Sequence, residues 1–148
     1  MQLRNVILGA AIVAGLTGMA LAQDADAIKN RINVMKVTVS GAVRTGFLMT
    51  TGKQDFNAAE AKKAMETVAT AISTFPALFP PGSENIQDRA SPEIWKNMDD
   101  FKARAAKLGA DATAAAAAAD KGLDAFKAAF NTMGDNCGGC HSKYRLEQ

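Results

Sequence analysis

The segment Cys137-Gly138-Gly139-Cys140-His141 lies close to the C-terminus, within a stretch that otherwise has the residue pattern of a helix. Its spacing, C-x-x-C-H, is the signature of covalent haem attachment. Positions three apart share one face of a helix, so both thiols can reach the two vinyl groups on one edge of a porphyrin and add to them as thioethers. The next residue, His141, can then place its imidazole under the iron. Gly138 and Gly139 suit this arrangement because a residue without a β-carbon lets the macrocycle come near the backbone.

The composition leaves few competing uses for this motif. The chain has two cysteines and one histidine, and all of them fall within it. A structural zinc site needs four Cys or His ligands, so a carboxylate would have to complete it. A redox pair of thioredoxin type belongs beside a βαβ pattern, which the sequence lacks. A disulfide between positions i and i+3 of a regular helix has poor geometry and closes only a tiny loop. We therefore predict one covalently attached haem c per chain, bound by Cys137 and Cys140.

The N-terminal residues have the pattern of an export signal. Arg4 precedes an apolar run, and Ala20-Leu21-Ala22 fits an A-x-A cleavage site. We predict a cleaved signal peptide over residues 1–22 and a mature domain over residues 23–148 in the periplasm, with no stable membrane insertion after cleavage. The alternative is an uncleaved anchor, for which the apolar run is short and no stop-transfer flank follows. The leader and the motif support each other, because thioethers form when reduced thiols meet haem outside the cytoplasm.

The mature part has the length of one ordinary domain. The full chain is 48% hydrophobic and 22% charged, which allows a buried core and lacks the composition of a disordered protein. Its formal net charge of +2 is too near neutral to indicate a nucleic-acid-binding surface. We therefore expect no nucleic-acid partner.

Apolar residues recur at steps of three and four through the mature chain, which is the period of a helix bundle. Turn residues interrupt the pattern at 50–55, 76–90 and 120–122, and Ser91 followed by Pro92 predicts the start of the third helix. The four predicted stripes are Ile28, Ile32, Met35, Val39, Ala42, Gly46 and Met49; Ala61, Met65, Val68, Ile72 and Phe75; Ile94, Met98, Phe101, Ala105, Leu108, Ala112 and Ala115; and Leu123, Phe126, Phe130, Met133, Cys137, Cys140 and Tyr144. They predict an all-α fold, an antiparallel four-helix bundle with a covalent haem on its last helix, since bundles hold cofactors between facing helices.

With its motif on the last helix, the chain resembles the class II c-type cytochromes, the cytochrome c′ family. The resemblance covers residues 24–145 and rests on four segments: residues 137–145 (CGGCHSKYR), 91–95 (SPEIW), the 52–56 turn and residues 31–35 (RINVM). It implies that His141 is the proximal axial ligand of the iron. It also implies that Arg31 and Arg145 lie near the haem propionates, which suits the pairing of guanidinium groups with carboxylates. The alternative is that both arginines are ordinary surface charges.

The ligand on the other side of the iron is the open question, because there is no second histidine. A sixth ligand from the protein would be a methionine thioether, as in electron-transfer cytochromes with Met/His ligation. The resemblance implies that Met35 faces the open side of the iron, where five-coordinate members have an apolar residue and six-coordinate, low-spin members a methionine. Counting back from Gly52 places Lys36 there instead, unless one residue is inserted between them. The alternative is that Met35 only fills the core.

Two functions follow from these alternatives. With Met35 as a ligand, the protein would be an electron carrier that serves redox partner proteins. With the site open, the iron could bind nitric oxide or carbon monoxide for gas binding or protection. A third alternative is a haem-free bundle that acts as an adaptor or thiol protein. The sequence shows no nucleophile and base pair, so we predict that the chain is not an enzyme, and it leaves open whether two copies form a homodimer through their first two helices.

Overall fold

The computed structural model describes residues 26–84 and 88–147, so the predicted signal peptide lies outside the described residues. Helix α1 spans residues 26–50 and contains a π-helical segment, Asn33–Val39, before its α-helical end, Ser40–Thr50. Helices α2, α3 and α4 are Ala58–Thr74, Met98–Ala119 and Leu123–Tyr144. A 3₁₀ turn, Phe75–Leu78, follows α2, and a one-turn helix, Glu93–Lys96, precedes α3. The described residues contain no strand, only an isolated bridge between Ala90 and Arg145. The predicted all-α four-helix bundle is confirmed.

The helix boundaries follow from local residue chemistry. The Asn57 side chain accepts the Glu60 backbone N–H at 3.0 Å and so caps the start of α2. Gly52 and Gly122 have φ of +70° and +100° in the turns before α2 and α4, a conformation that favours glycine. The prediction of one continuous third helix from Ser91 is wrong. Asn97, at φ −130° and ψ 43°, interrupts the helix, and its side-chain amide donates to the Glu93 carbonyl oxygen.

Contacts at the two ends of the bundle show that α1 and α4 are antiparallel. At one end, Phe56 follows α1 and its ring centroid lies 5.7 Å from that of Phe126, near the start of α4. At the other end, the guanidinium of Arg31 lies 4.2 Å from the ring centroid of Phe79, in a cluster of touching rings that includes Tyr144. The start of α1 therefore shares an end of the bundle with the last turns of α4, where the C-x-x-C-H motif lies.

Most of the predicted stripe residues form the core. Met49, Met65 and Met133 are almost completely buried, as is Phe126. Two stripe assignments are wrong, because Ile32 is 42% exposed and Leu123 is 38% exposed. Leu123 is the first residue of α4, and in the turn that contains Ile32 the buried side chain is that of Arg31.

Helices α1 and α4 approach each other closely at Gly46. A β-carbon built on Gly46 would lie 2.5 Å from Cε2 of Phe130, so glycine is required for this spacing. Helix α4 contacts the Ser40–Thr50 part of α1, whereas the π segment makes no comparable contact with it. The two helices are therefore in contact around Phe130, and the π segment lies farther from α4. No helix in the described ranges is both long enough and apolar enough to cross a membrane.

Candidate haem site

The C-x-x-C-H motif lies within the last turns of α4 and is fully helical. Cys137 and Cys140 are both half-buried and pack against the hydrophobic core, whereas Gly138 and Gly139 are exposed. The helical spacing thus places both thiols on the inward side of α4, as expected. His141, the next residue, is half-buried.

Both thiols lie against apolar side chains of the core, and this burial affects their ionisation. Burial raises the pKa of both Cys137 and Cys140 above the usual value for a thiol, and the Cys140 thiol raises the pKa of Cys137 further. For Cys140, the nearby Arg104 opposes the effect of burial. Among residues 26–84 and 88–147, no three Cys, His, Asp or Glu side chains come together as a metal site. The zinc alternative therefore has no ligand set in this part of the chain.

Two arginines flank the predicted iron ligand. Burial lowers the pKa of His141, and the charges of Arg145 and then Arg89 lower it further. The pKa is thus shifted in favour of the neutral imidazole, which is the form that binds a metal. Arg89 comes from the connection before α3, and no motif in the sequence indicates its place beside His141. Its backbone oxygen accepts the Leu146 N–H at 2.9 Å, and its Nε donates to the Leu146 carbonyl oxygen at 3.1 Å.

Arg145 is exposed and follows the last residue of α4, where its backbone pairs with Ala90. Its charge reaches His141, but no contact tests its predicted position near a propionate, which stays a prediction. The Ser91 N–H donates to the Tyr144 carbonyl oxygen at 3.1 Å, beside this pairing. The segment before α3 and the residues after α4 are thus joined directly behind the motif.

Arg31 is only 4% exposed, so the alternative that it is a surface charge is wrong. Its Nη1 pairs with Asp88 at 2.9 Å, its Nη2 donates to Ser83 Oγ at 2.6 Å, and its Nε donates to the Leu78 carbonyl oxygen at 2.8 Å. The guanidinium also stacks on the ring of Phe79. Arg31 therefore joins α1 to the connection that follows α2, and its predicted contact with a propionate stays a prediction.

Met35 lies in the π segment of α1, half-buried and packed against the core, while Lys36 is exposed. Its height in the bundle follows from the contact of Gly46 with Phe130. Met35 lies 11 residues before Gly46 (46 − 35), and His141 lies 11 residues after Phe130 (141 − 130). Antiparallel α-helices rise at about 1.5 Å per residue, and the π segment takes up one additional residue, so Met35 and His141 lie at the same height to within about one residue's rise.

A cluster of polar groups fixes α4 to α3 beside the motif. The carboxylate of Asp100 accepts hydrogen bonds from Arg104 Nε at 2.8 Å, Lys143 Nζ at 2.9 Å and the hydroxyl of Tyr144. Led by the Tyr144 hydrogen bond, these donors hold the pKa of Asp100 well below its usual range. Arg104 Nη1 also donates to the Gly139 carbonyl oxygen at 3.3 Å. Asp100 and Arg104 belong to no motif in the sequence, so their place beside the site was not predicted.

A four-helix bundle whose last helix turns a C-x-x-C-H motif toward its core defines a c-type haem protein. Comparison with protein families gives the same answer, since the model described as Cytochrome C′ matches residues 26–145. The chain belongs to the cytochrome c′ family, whose members carry covalently attached haem c. This confirms the predicted family and cofactor.

Similar proteins support the assignment over nearly their whole length. A cytochrome c-556 of Agrobacterium tumefaciens (strain II Chrys) is 39% identical over 121 residues, covering 82% of this chain and 98% of that protein. The structure of cytochrome c prime from Shewanella frigidimarina has a TM-score of 0.77 at 28% identity, covering 84% of this chain and 97% of its own. A nitric oxide complex of a cytochrome c prime variant from Alcaligenes xylosoxidans has a TM-score of 0.76 at 30% identity, covering 85% and 98%.

Proposed function

We propose that this chain is a periplasmic electron carrier in which Met35 and His141 are the two axial ligands of the haem iron. The observation that carries the proposal is the height of Met35, roughly level with His141 on the antiparallel helix α1. Met35 is half-buried against the core, so its thioether lies on the side of α1 that contacts the rest of the bundle. Bound by these two residues, a haem would supply one-electron redox chemistry.

The residues of the chain have separate tasks in this proposal. Cys137 and Cys140 would hold the porphyrin edge against the core, and His141 would present a neutral imidazole. Met35 would close the other side, which limits access for small ligands and favours the reduced state, since Met/His ligation raises the potential. A site closed by two protein ligands changes little in geometry when an electron arrives, which suits a carrier that serves redox partner proteins.

Replacing Met35 by alanine tests the ligand assignment. We expect the ferric holoprotein to show a low-spin spectrum with a methionine–iron charge-transfer band, and we expect Met35→Ala to lose that band. Met98→Ala is the matched control. Met98 is also half-buried against the core, but it is the first residue of α3 and has no proposed role as a ligand. A wild-type spectrum that is already high-spin, or one that Met35→Ala leaves unchanged, would contradict the proposal.

Gas binding is the second candidate function. It is favoured by the similar structure of a cytochrome c prime variant in complex with nitric oxide. Met35 and the buried Val39 would then form part of an apolar wall beside an open iron position and would not act as ligands. A high-spin ferric spectrum that shifts when nitric oxide is added would select this function over electron transfer.

We further propose that residues 1–22 are removed on export and that the mature protein is not an enzyme. Mass spectrometry of protein recovered from the periplasm of a strain competent in cytochrome maturation tests both the cleavage site and haem attachment. We expect a chain that starts at Gln23 and carries one added haem mass. A mature chain without that mass would contradict the assigned attachment site.

A further inference from the structure

The π-helical segment Asn33–Val39 interrupts an otherwise α-helical α1. At its end, the backbone N–H of Ser40 donates to the carbonyl oxygen of Met35, five residues earlier, which is the hydrogen bond that defines a π turn. Such segments are rare and occur frequently at functional sites. This one contains the proposed iron ligand.

Both sides of the segment are held in a fixed rotation about the helix axis. On the N-terminal side, Arg31 is buried and bound to Asp88 and Ser83. On the C-terminal side, Val39 is buried and Gly46 packs against Phe130. The residues between these anchors must fit the rotation that the anchors impose.

A regular α-helix would put Ile32, seven residues before Val39, nearest to the side of Val39 in this turn, yet Ile32 is exposed and Arg31 is buried. At 3.6 residues per turn, each residue turns the helix by about 100°, so the eight steps from Val39 back to Arg31 would place Arg31 about 80° away from Val39. Seven steps would place it only about 20° away, on the same side of the helix. The anchors thus match a helix with one residue fewer, and the π segment accommodates the additional residue. This explains why Arg31 is buried in the turn where the apolar pattern predicted Ile32.

The same rotation decides whether Met35 or Lys36 occupies a given side of α1. In a regular helix counted back from Val39, Lys36 would lie about 60° to one side and Met35 about 40° to the other. Because a π turn contains more residues, each one rotates the helix less, and Met35 moves toward the side that Lys36 would occupy. The exposure of Lys36 fits this arrangement, and the burial of Arg31 in place of Ile32 is the observation that shows the rotation.

We propose that the π segment is a positioning device: its additional residue places Met35, and not Lys36, on the side of α1 that faces the haem. The proposal rests on the proposed function, because it gives Met35 the ligand position. It assigns the choice between a thioether and an amine to the backbone of residues 33–39.

Two single-residue deletions test this proposal with matched backbones. Deleting Asn33 or deleting Val37 removes one exposed residue and restores a regular helix in which Arg31 stays about 20° from Val39. Without Val37, Met35 lies three residues before Val39 and keeps its side of the helix. Without Asn33, Lys36 takes that place. We expect the holoprotein lacking Val37 to keep the wild-type ferric spectrum, and the holoprotein lacking Asn33 to lose the methionine–iron band.

A second readout does not depend on ligation. Acetylation of Lys36 in the native holoprotein, measured by mass spectrometry, should occur in the wild type and without Val37, and should be lost without Asn33. Equal spectra and equal Lys36 acetylation in the two deletions would overturn the proposal. Loss of haem or of helical circular dichroism in both would overturn it too, since it requires a regular helix to fit. If Met35→Ala leaves the wild-type spectrum unchanged, the proposed function fails, and the Lys36 contrast still tests the register.

Discussion

Replacing Gly46 by alanine should push α1 and α4 apart at their closest approach. The new β-carbon would lie 2.5 Å from Cε2 and 3.0 Å from Cδ2 of Phe130, well inside the roughly 3.5–4.0 Å at which carbon atoms attract. Overpacking of this kind costs about 1–3 kcal/mol. Alanine is also the better helix former by about 1 kcal/mol, which offsets part of that cost. We expect a net decrease of up to about 2 kcal/mol in the free energy of unfolding.

Gly41→Ala is the matched control, because Gly41 lies in the same helix and a β-carbon there would meet nothing within 4 Å. It should stabilise the protein by up to about 1 kcal/mol through helix propensity alone. The difference between the two variants removes the propensity effect and should be about 1–3 kcal/mol. Urea unfolding of the holoprotein, followed by circular dichroism, measures both values. Equal stabilities of Gly46→Ala and Gly41→Ala would refute the close approach of the two helices.

Three other changes test the surroundings of the haem site. Asp88→Asn should cost about 3–5 kcal/mol in urea unfolding, because it leaves the buried charge of Arg31 without its partner; an unchanged midpoint would contradict this. Asp100→Asn should lower stability at neutral pH. Because the pKa of Asp100 is lower in the folded than in the unfolded protein, its contribution is present above the unfolded value of about 3.9 and is lost as the pH falls below it. The difference in the free energy of unfolding between Asp100→Asn and the wild type should therefore become smaller in acid. A difference that grows in acid would count against the assigned hydrogen bonds. Cys137→Ser should leave haem attached through Cys140 alone, and changing both cysteines to serine should abolish the added haem mass. A double variant that kept the mass would disprove the attachment site.

The bundle could be predicted from the sequence because each helix has its own apolar stripe. The spacing of apolar residues does not reveal the π segment of α1. One additional residue still leaves an apolar side chain near every turn, so Ile32 fits the stripe as well as its neighbours do. The burial of Arg31 requires the partners Asp88 and Ser83, which are 57 and 52 residues away in the sequence. No local pattern contains that information.

The haem site was predictable where it consists of consecutive residues and unpredictable where it depends on packing. Cys137, Cys140 and His141 form a motif whose spacing defines its chemistry. Arg104, by contrast, reaches the carbonyl oxygen of Gly139 across 35 residues of sequence, and Arg89 approaches His141 through backbone pairing of two segments. These contacts exist only once α4 has packed against α3 and against the segment that precedes α3.

The backbone pairing behind the motif has a consequence for the mobility of the iron ligand. The last turn of a helix often frays, and His141 lies in the last turn of α4. Here the Tyr144 carbonyl oxygen accepts the Ser91 N–H, and the Leu146 N–H donates to the Arg89 carbonyl oxygen. Amide hydrogens in the last turn of α4 should therefore exchange with solvent more slowly than those of a frayed helix end, and the pairing restrains the turn that carries the imidazole.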